Sequence, residues 1–483
     1  MKDEQFAVAL DLGTTAIKAS LIDSQGHVRA VASHECVLET PGPNMVEQDP
    51  DVWYGAACEM IKKAVSSVNP SQVLGVGISS QGISFVLTDE QFQPITKGIS
   101  WLDTRAKAQA KALMARYPVQ EWFKKTGKYS AEGYTLSSLL WMFENNKELR
   151  SAARHCLMPM DYAIARLTGN AVSERTMWAG SLMLDLQTQA WDLSLLEEMG
   201  IDPQILPELR DTGSIAGYLT EEAATRCGLL AGTPVIAAGQ DQKTAAYGAN
   251  ICNGMATLSL GTAGAMEVLT TRCEIDPRLG ITICPFMTRD TWVIETCVNT
   301  VGAAIKWVRN TIFPDLSYKE LDALCAQAPV GSDGVEFLPF LTPPGTPHVQ
   351  CELDGGYRAL TLGATRADLA RALFEGLAYE LRLNVDAVYA AGENIQMIAV
   401  FGGASRGDPF CQMLADVMDL PLRKYPTEEM VCIGAAKMVF AAMDGNLEAF
   451  DDGVVENAVL YQPRPDIAQK YRALYSRYQE FLQ

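Results

Sequence analysis

Asp11-Leu12-Gly13-Thr14-Thr15 joins two short apolar runs, Phe6–Leu10 and Ile17–Ile22. Half a chain later Leu258-Ser259-Leu260-Gly261-Thr262-Ala263-Gly264 joins two more, Thr257–Leu260 and Ala265–Leu269. Each reads as a strand, a Gly-Thr turn and a returning strand, with Gly13 and Gly261 in equivalent places. A unit of this kind occurring twice predicts two similar domains facing each other. The turn can also bear chemistry, because glycine lets backbone N–H groups approach phosphate oxygens and threonine hydroxyls add uncharged donors. Asp11, just ahead of the first turn, is an oxygen ligand suited to magnesium. Lys18, on the returning strand, is long enough to reach a phosphate. An ordinary tight hairpin capped by Asp11 would use the same residues, so the turn alone leaves both readings open.

Further apolar runs at Val73–Ser79, Phe85–Thr88, Val235–Ala238, Trp292–Thr296 and Met397–Phe401 read as strands, and longer amphipathic stretches alternate with them. That alternation predicts an α/β protein. The clearest helix is Arg366–Tyr389, where Leu369, Leu373, Leu377, Leu381, Val385 and Val388 recur on one face. Thr365 with Asp368 starts it as a capping box, and Gly392 stops it. Proline and glycine around Pro339–Gly345 mark a long loop.

A chain of 483 residues is too long for one core, and we expect a division at 1–246 and 247–483. With 48% apolar and 20% charged residues, disorder and coiled coil are excluded. Lys plus Arg number 39 against 58 Asp plus Glu, a net charge of −19, which argues against nucleic acid or an anionic membrane as a partner. Any phosphate handled is then a small ligand. The start, Met1-Lys-Asp-Glu-Gln, has no apolar run behind it and reads as cytoplasmic. Thr244–Met266 is uncharged and long enough for a bilayer, but its glycines and asparagines suit turns between buried strands. Twelve cysteines without a C-x-x-C pair, and only four histidines, give no zinc pattern.

Gly75-Val-Gly-Ile-Ser-Ser80 resembles a dinucleotide fingerprint but lacks its third glycine, and an acid about 20 residues on is missing. Gly127-Lys128 lacks the rest of a P-loop. Gly239-Gln240-Asp241-Gln242-Lys243 follows an apolar strand at the midpoint of the chain, where a cleft would open. Asp241 is therefore a candidate general base, with a helix cap as the plain alternative.

Together these pieces resemble the FGGY-type carbohydrate kinases, which include xylulokinases, glycerol kinases and gluconokinases. The resemblance rests on Asp11-Leu-Gly-Thr-Thr15, Glu47-Gln-Asp-Pro50, Trp101-Leu-Asp-Thr-Arg105, Met160-Asp-Tyr162 and Leu167-Thr-Gly169. It continues through Gly239-Gln-Asp241, Leu260-Gly-Thr262, Ala372-Leu-Phe-Glu-Gly376, Gly402-Gly-Ala-Ser405 and Gln412-Met-Leu-Ala-Asp416. It implies two actin-like, ribonuclease H-like α/β domains with a nucleotide and sugar cleft between them, ATP and Mg2+ as cofactors, and a homodimer.

By position, the resemblance implies that Asp11 ligates magnesium. Thr14, Thr15 and Lys18 would approach the triphosphate from the first domain, and Gly261 and Thr262 from the second. Gly302, Lys306, Gly403 and Gly407 would contact the nucleotide. Asp241 would be the base, with an ordinary pKa near 4 sufficient because the hydroxyl acidifies only as it bonds to phosphorus. Gln81, Trp101, Asp103, Arg105, Tyr134 and Gln242 would border the sugar.

Two departures bear on the sugar. The loop Ser79-Ser-Gln-Gly-Ile83 lacks the Met-His of xylulokinases and the Arg-Glu that follows the glutamine in glycerol kinases. Phe340-Leu-Thr-Pro-Pro-Gly-Thr-Pro347 stands where many members have Gly-Glu-Arg. The expected substrate is a ketopentose such as xylulose, with glycerol and gluconate as alternatives. A regulator or a non-sugar ATPase on the same fold is the other reading; retained Asp11 and Asp241 disfavour the first and Trp101–Arg105 the second.

Overall fold

The computed structural model describes residues 4–349, 351–445 and 457–482. The first sheet is built from β1 (Phe6–Leu12), β2 (Ala16–Asp23), β3 (Val28–Glu35), β4 (Val73–Ser80), β5 (Ile215–Tyr218) and β6 (Pro234–Gln240), in the order β5-β6-β4-β1-β2-β3. Its central strand β1 is buried almost throughout, as its continuous apolar run requires, whereas the edge strand β3 alternates between half-buried and exposed. The second sheet holds β7 (Met255–Leu260), β8 (Gly264–Thr270), β9 (Thr282–Pro285), β10 (Trp292–Val298), β11 (Met397–Phe401), β12 (Leu422–Lys424) and β13 (Val459–Tyr461), in the order β9-β10-β8-β7-β11-β12-β13.

The repeat seen in the sequence is a repeat of pairing. β1 pairs antiparallel with β2 and parallel with β4. β7 pairs antiparallel with β8 and parallel with β11. Each hairpin continues to a further antiparallel strand, β3 or β10, and each parallel side ends in an antiparallel edge, β5 or β13. The second sheet adds β9 beyond β10.

Helices cover the faces: α1 (Pro50–Ala64), α2 (Pro159–Thr168), α3 (Asp241–Gly248), α4 (Gly302–Thr311), α5 (Arg366–Ala390), α6 (Asp408–Met418), α7 (Met430–Asp444) and α8 (Pro465–Leu482). α5 starts with the expected capping box, Thr365 and Asp368 bonding each other's backbone N–H. α7 belongs by sequence to the second half yet packs on the first sheet. A Cβ on Gly77 would lie 2.5 Å from Ala435 O, so strand and helix touch backbone to backbone. α3 and α7 cross as closely, since a Cβ on Gly434 would lie 2.0 Å from Thr244 O. A cluster of small and apolar side chains from β1, β6, α3, β11 and α7 fills the space between the sheets. This is a two-domain, actin-like α/β fold.

Among the described residues no helix is long and apolar enough to cross a membrane, and Thr244–Met266 is divided between α3 and the β7–β8 hairpin. The cysteines of the structure are free thiols.

Candidate active site

The candidate residues of the first domain gather at the carboxyl ends of parallel strands. Asp11 on β1 pairs with Ser79 on β4, and Ser79 with Gly239 on β6, so the three stand at one level. Asp241 follows two residues beyond Gly239, at the first position of α3. The strand end beneath it is clamped by the buried Glu174. That carboxylate accepts from Thr176 Oγ1 (2.6 Å), Met177 N (2.6 Å) and Thr212 Oγ1 (2.5 Å), and Thr176 Oγ1 in turn accepts from Gln240 N (3.0 Å). Gly239, at φ 109°, passes so close to Thr176 that a Cβ would lie 2.6 Å from its hydroxyl.

Asp241 Oδ1 accepts from Gln242 N (2.7 Å) and from the Gln240 amide, and no described donor reaches Oδ2. Burial pushes its pKa up to about 6, with Glu295 adding to the rise, while the Gln242 N–H, Lys243 and the Gln240 amide oppose it. The ordinary value near 4 expected from the sequence is thus corrected by desolvation. Asp11 carries a second perturbed carboxylate, raised to about 8 by burial and then by the negative charge of Asp241. Its Oδ1 is buried with no partner among the described residues.

Lys18 is not free. Its Nζ sits 2.8 Å from Glu429 Oε1, a residue just ahead of α7 that the sequence reading missed. Lys243, beside the base, reaches across to the second sheet. It contacts Glu267 Oε1 at 3.2 Å and pairs with Glu295, and Lys243 and Glu267 side chains are 4% and 2% exposed. Glu267 and Glu295 are cross-strand neighbours on β8 and β10.

On the second domain, Gly261, Thr262, Gly302, Lys306, Gly403 and Gly407 line one cavity of about 800 Å3, together with Trp307, Tyr318, Asp322 and Phe374. Gly302 N donates to Gly261 O (3.0 Å), and Val301 N and Ala303 N donate to Thr262 O (3.0 and 3.1 Å), so the hairpin and the start of α4 are one unit.

The sugar-side residues sort differently. Trp101 is 44% exposed, its indole N–H donating to Thr14 Oγ1 (2.8 Å). Asp103 accepts from Val46 N (2.7 Å), Arg105 N (2.9 Å) and Arg105 Nε (2.8 Å), and Arg105 also bonds Glu47 (2.7 Å) and lies over the Trp141 ring. This pair braces the loop instead of presenting free charges. Gln81 is buried and bonded to Thr14, Gln48 and Ser84. Tyr134 precedes the helix Thr135–Asn145, and burial and then Glu295 raise its hydroxyl's pKa. Thr15 is exposed at the turn.

Family models match twice. The N-terminal domain of the FGGY family of carbohydrate kinases covers residues 6–248, and its C-terminal domain covers 256–443. The chain belongs to the FGGY family of carbohydrate kinases. It is therefore a carbohydrate kinase. It is 27% identical to the xylulose kinase of Bacillus subtilis, over 98% of this chain and 96% of that protein. The ligand-bound xylulose kinase of Lactobacillus acidophilus superposes with a TM-score of 0.91 at 25% identity, covering 99% of this chain and 97% of that one. A gluconate kinase of the same organism does so equally, with a TM-score of 0.91, 25% identity and 99% and 98% covered.

Proposed function

We propose that this FGGY kinase transfers the γ-phosphoryl group of ATP to a hydroxyl of a neutral ketopentose such as xylulose, with Asp241 as general base. The observation that carries it is the half-buried Asp241 carboxylate, one oxygen bonded and the other open, at the level where the first phosphate hairpin ends. The sugar oxygen attacks the γ-phosphorus, its proton passes to Asp241 Oδ2, and the bond to the β-phosphate oxygen breaks to release ADP. The protein otherwise supplies position and charge. The backbone of both hairpins with Thr15 and Thr262 faces the phosphates, and the 800 Å3 cavity takes the rest of the nucleotide. The partnerless Oδ1 of Asp11 fits a cation. No group of three or more His, Cys, Asp or Glu among the described residues is placed to hold a metal. Asp11 would thus hold magnesium jointly with the phosphates, and the ion would neutralise their charge. The proposed division at residue 246 falls within α3 and would leave the base with the first domain and the nucleotide cavity with the second.

The charges around the cleft favour a neutral sugar over an aldonate. Arg105, Lys243 and Lys18 are each already paired with carboxylates, so none is left over for a substrate carboxylate. The missing Arg-Glu after Gln81 disfavours glycerol. ADP release measured with ketopentoses, polyols and aldonates, each against a sugar-free control, tests the reading. Ketopentose-dependent release is expected. Turnover of gluconate alone would overturn the substrate.

A further inference from the structure

A closed ring of hydrogen bonds joins the exposed tryptophan of the sugar side to the first phosphate hairpin. Trp101 Nε1 donates to Thr14 Oγ1 at 2.8 Å, and Thr14 Oγ1 donates to Gln81 Oε1 at 2.9 Å. Ser84 Oγ donates to the same Gln81 oxygen at 3.1 Å and accepts from Trp101 N at 3.0 Å. Behind them, Gln81 Nε2 donates to Gln48 Oε1 at 2.8 Å, and Gln48 Nε2 donates to Thr14 O at 2.9 Å. Gln81 and Gln48 are 2% and 1% exposed, so the support of the ring is dry while Trp101 faces solvent.

The polarity of the ring follows from the groups in it. An indole N–H only donates, and a hydroxyl has one proton to give. Thr14 therefore receives Trp101 and spends its proton on Gln81, which leaves its hydroxyl no proton for a phosphate oxygen. We propose that Thr14, Gln81 and Gln48 are positioning residues for Trp101, fixing the aromatic face against which the sugar lies. The same ring sets the register between that face and the hairpin backbone that meets the phosphates. It gives Gln48, in the segment Glu47-Gln-Asp-Pro50, a role that spacing alone did not suggest. The inference rests on the proposed placement of the sugar beside Trp101.

Physically, a half-exposed tryptophan has several accessible rotamers, and one well-placed acceptor selects among them. Thr14→Val keeps the shape but removes both bonds. With the ring open, the sugar must organise its own platform, and the cost falls on sugar affinity.

Steady-state kinetics on the full chain test this. Thr14→Val should raise KM for the sugar about ten-fold, the size expected for lost hydrogen bonds, while KM for ATP stays within about two-fold. Thr14→Ser, which keeps the hydroxyl, should restore most of the sugar affinity. Gln48→Leu, farther from both ligands, should raise sugar KM in the same direction. In a Trp101→Phe background Thr14→Val should add little to sugar KM, because the bond through which Thr14 holds the indole is already gone and only its bond to Gln81 is left to lose. A rise in KM for ATP with sugar KM unchanged would overturn the inference, as would additive effects of the two substitutions. Trp101→Phe with unaltered sugar KM would overturn both the inference and the sugar's placement, while sugar-dependent ADP release would still uphold the kinase reading.

Discussion

Gly302→Ala is the most exacting probe of the nucleotide side. Gly302 begins α4 and is bonded through its N–H to Gly261 O at 3.0 Å. A Cβ there would lie 2.4 Å from that oxygen and 3.2 Å from its carbon. Ordinary contact begins at 3.4 Å, so helix and hairpin must part by about 1 Å. The obstructing atoms are backbone, and no side-chain rotation relieves them. Parting strains three bonds at once, from Val301, Gly302 and Ala303 to the two hairpin carbonyls. A displacement of about 1 Å at a site that works by positioning costs up to about 10²-fold. We therefore expect kcat/KM for ATP to fall about 10- to 100-fold, with KM for the sugar within about two-fold, since the sugar-side residues lie on the other domain. Gly55→Ala is the control. It lies inside α1, away from the nucleotide cavity, and its Cβ meets nothing within 4 Å. Its effect should stay below about three-fold. Coupled assays of ADP release at saturating sugar, with melting curves for both variants, decide the matter. A folded Gly302→Ala enzyme with wild-type ATP kinetics would refute the reasoning, and so would equal damage from Gly55→Ala.

Three further outcomes follow from buried charge. Because Asp241 must be ionised to accept a proton and its pKa is about 6, kcat/KM for the sugar should fall with unit slope as pH drops below 6, and a flat profile from pH 5 to 8 would exclude it as the titrating base. Lys243→Met strands Glu267 and Glu295 without their cation and should cost about 3–5 kcal/mol of stability, visible in chemical denaturation; an unchanged midpoint would show that the pair is solvated. Glu380, raised to about 8 by burial and held by Tyr478 at 2.7 Å, binds its proton more tightly folded than unfolded. Its stabilising contribution is complete below about pH 4.5 and is lost as pH climbs towards 8, so Glu380→Gln should raise Tm relative to wild type progressively over that range, and a pH-independent difference would contradict the assignment.

The paired hairpins were readable in the sequence because their signal is local. A buried strand is a short apolar run, and the first turn leaves Gly13 no room for a Cβ, which would lie 2.8 Å from Ala16 O. The capping box of α5 is local in the same sense, spanning Thr365 to Asp368. What escaped the sequence is what distant residues do to one another. Lys18 meets Glu429 across most of the chain, and Lys243 meets carboxylates of the other domain. Nothing in the spacing of Gln48 and Gln81 shows that their amides interlock, although both lay in segments that stood out. Asp103, two residues from Arg105, is a partner the sequence allows, but nothing in the spacing brings Glu47 to the other side of that guanidinium. The pKa of Asp241 depends on desolvation, which no sequence states. The position of α7 on the first sheet is likewise a tertiary fact, marked in the sequence only by glycines such as Gly77 and Gly434.

The most direct test of the catalytic account is phosphoryl transfer from γ-labelled ATP to D-xylulose by Asp241→Asn beside the wild-type enzyme. The substitution keeps the shape and the bond from Gln242 N to the side chain while removing the proton acceptor. Formation of labelled sugar phosphate by the wild type is expected, with a fall in kcat of about 10²–10⁴ in the variant and unchanged ATP affinity. An Asp241→Asn enzyme that forms sugar phosphate at close to the wild-type rate would contradict the account.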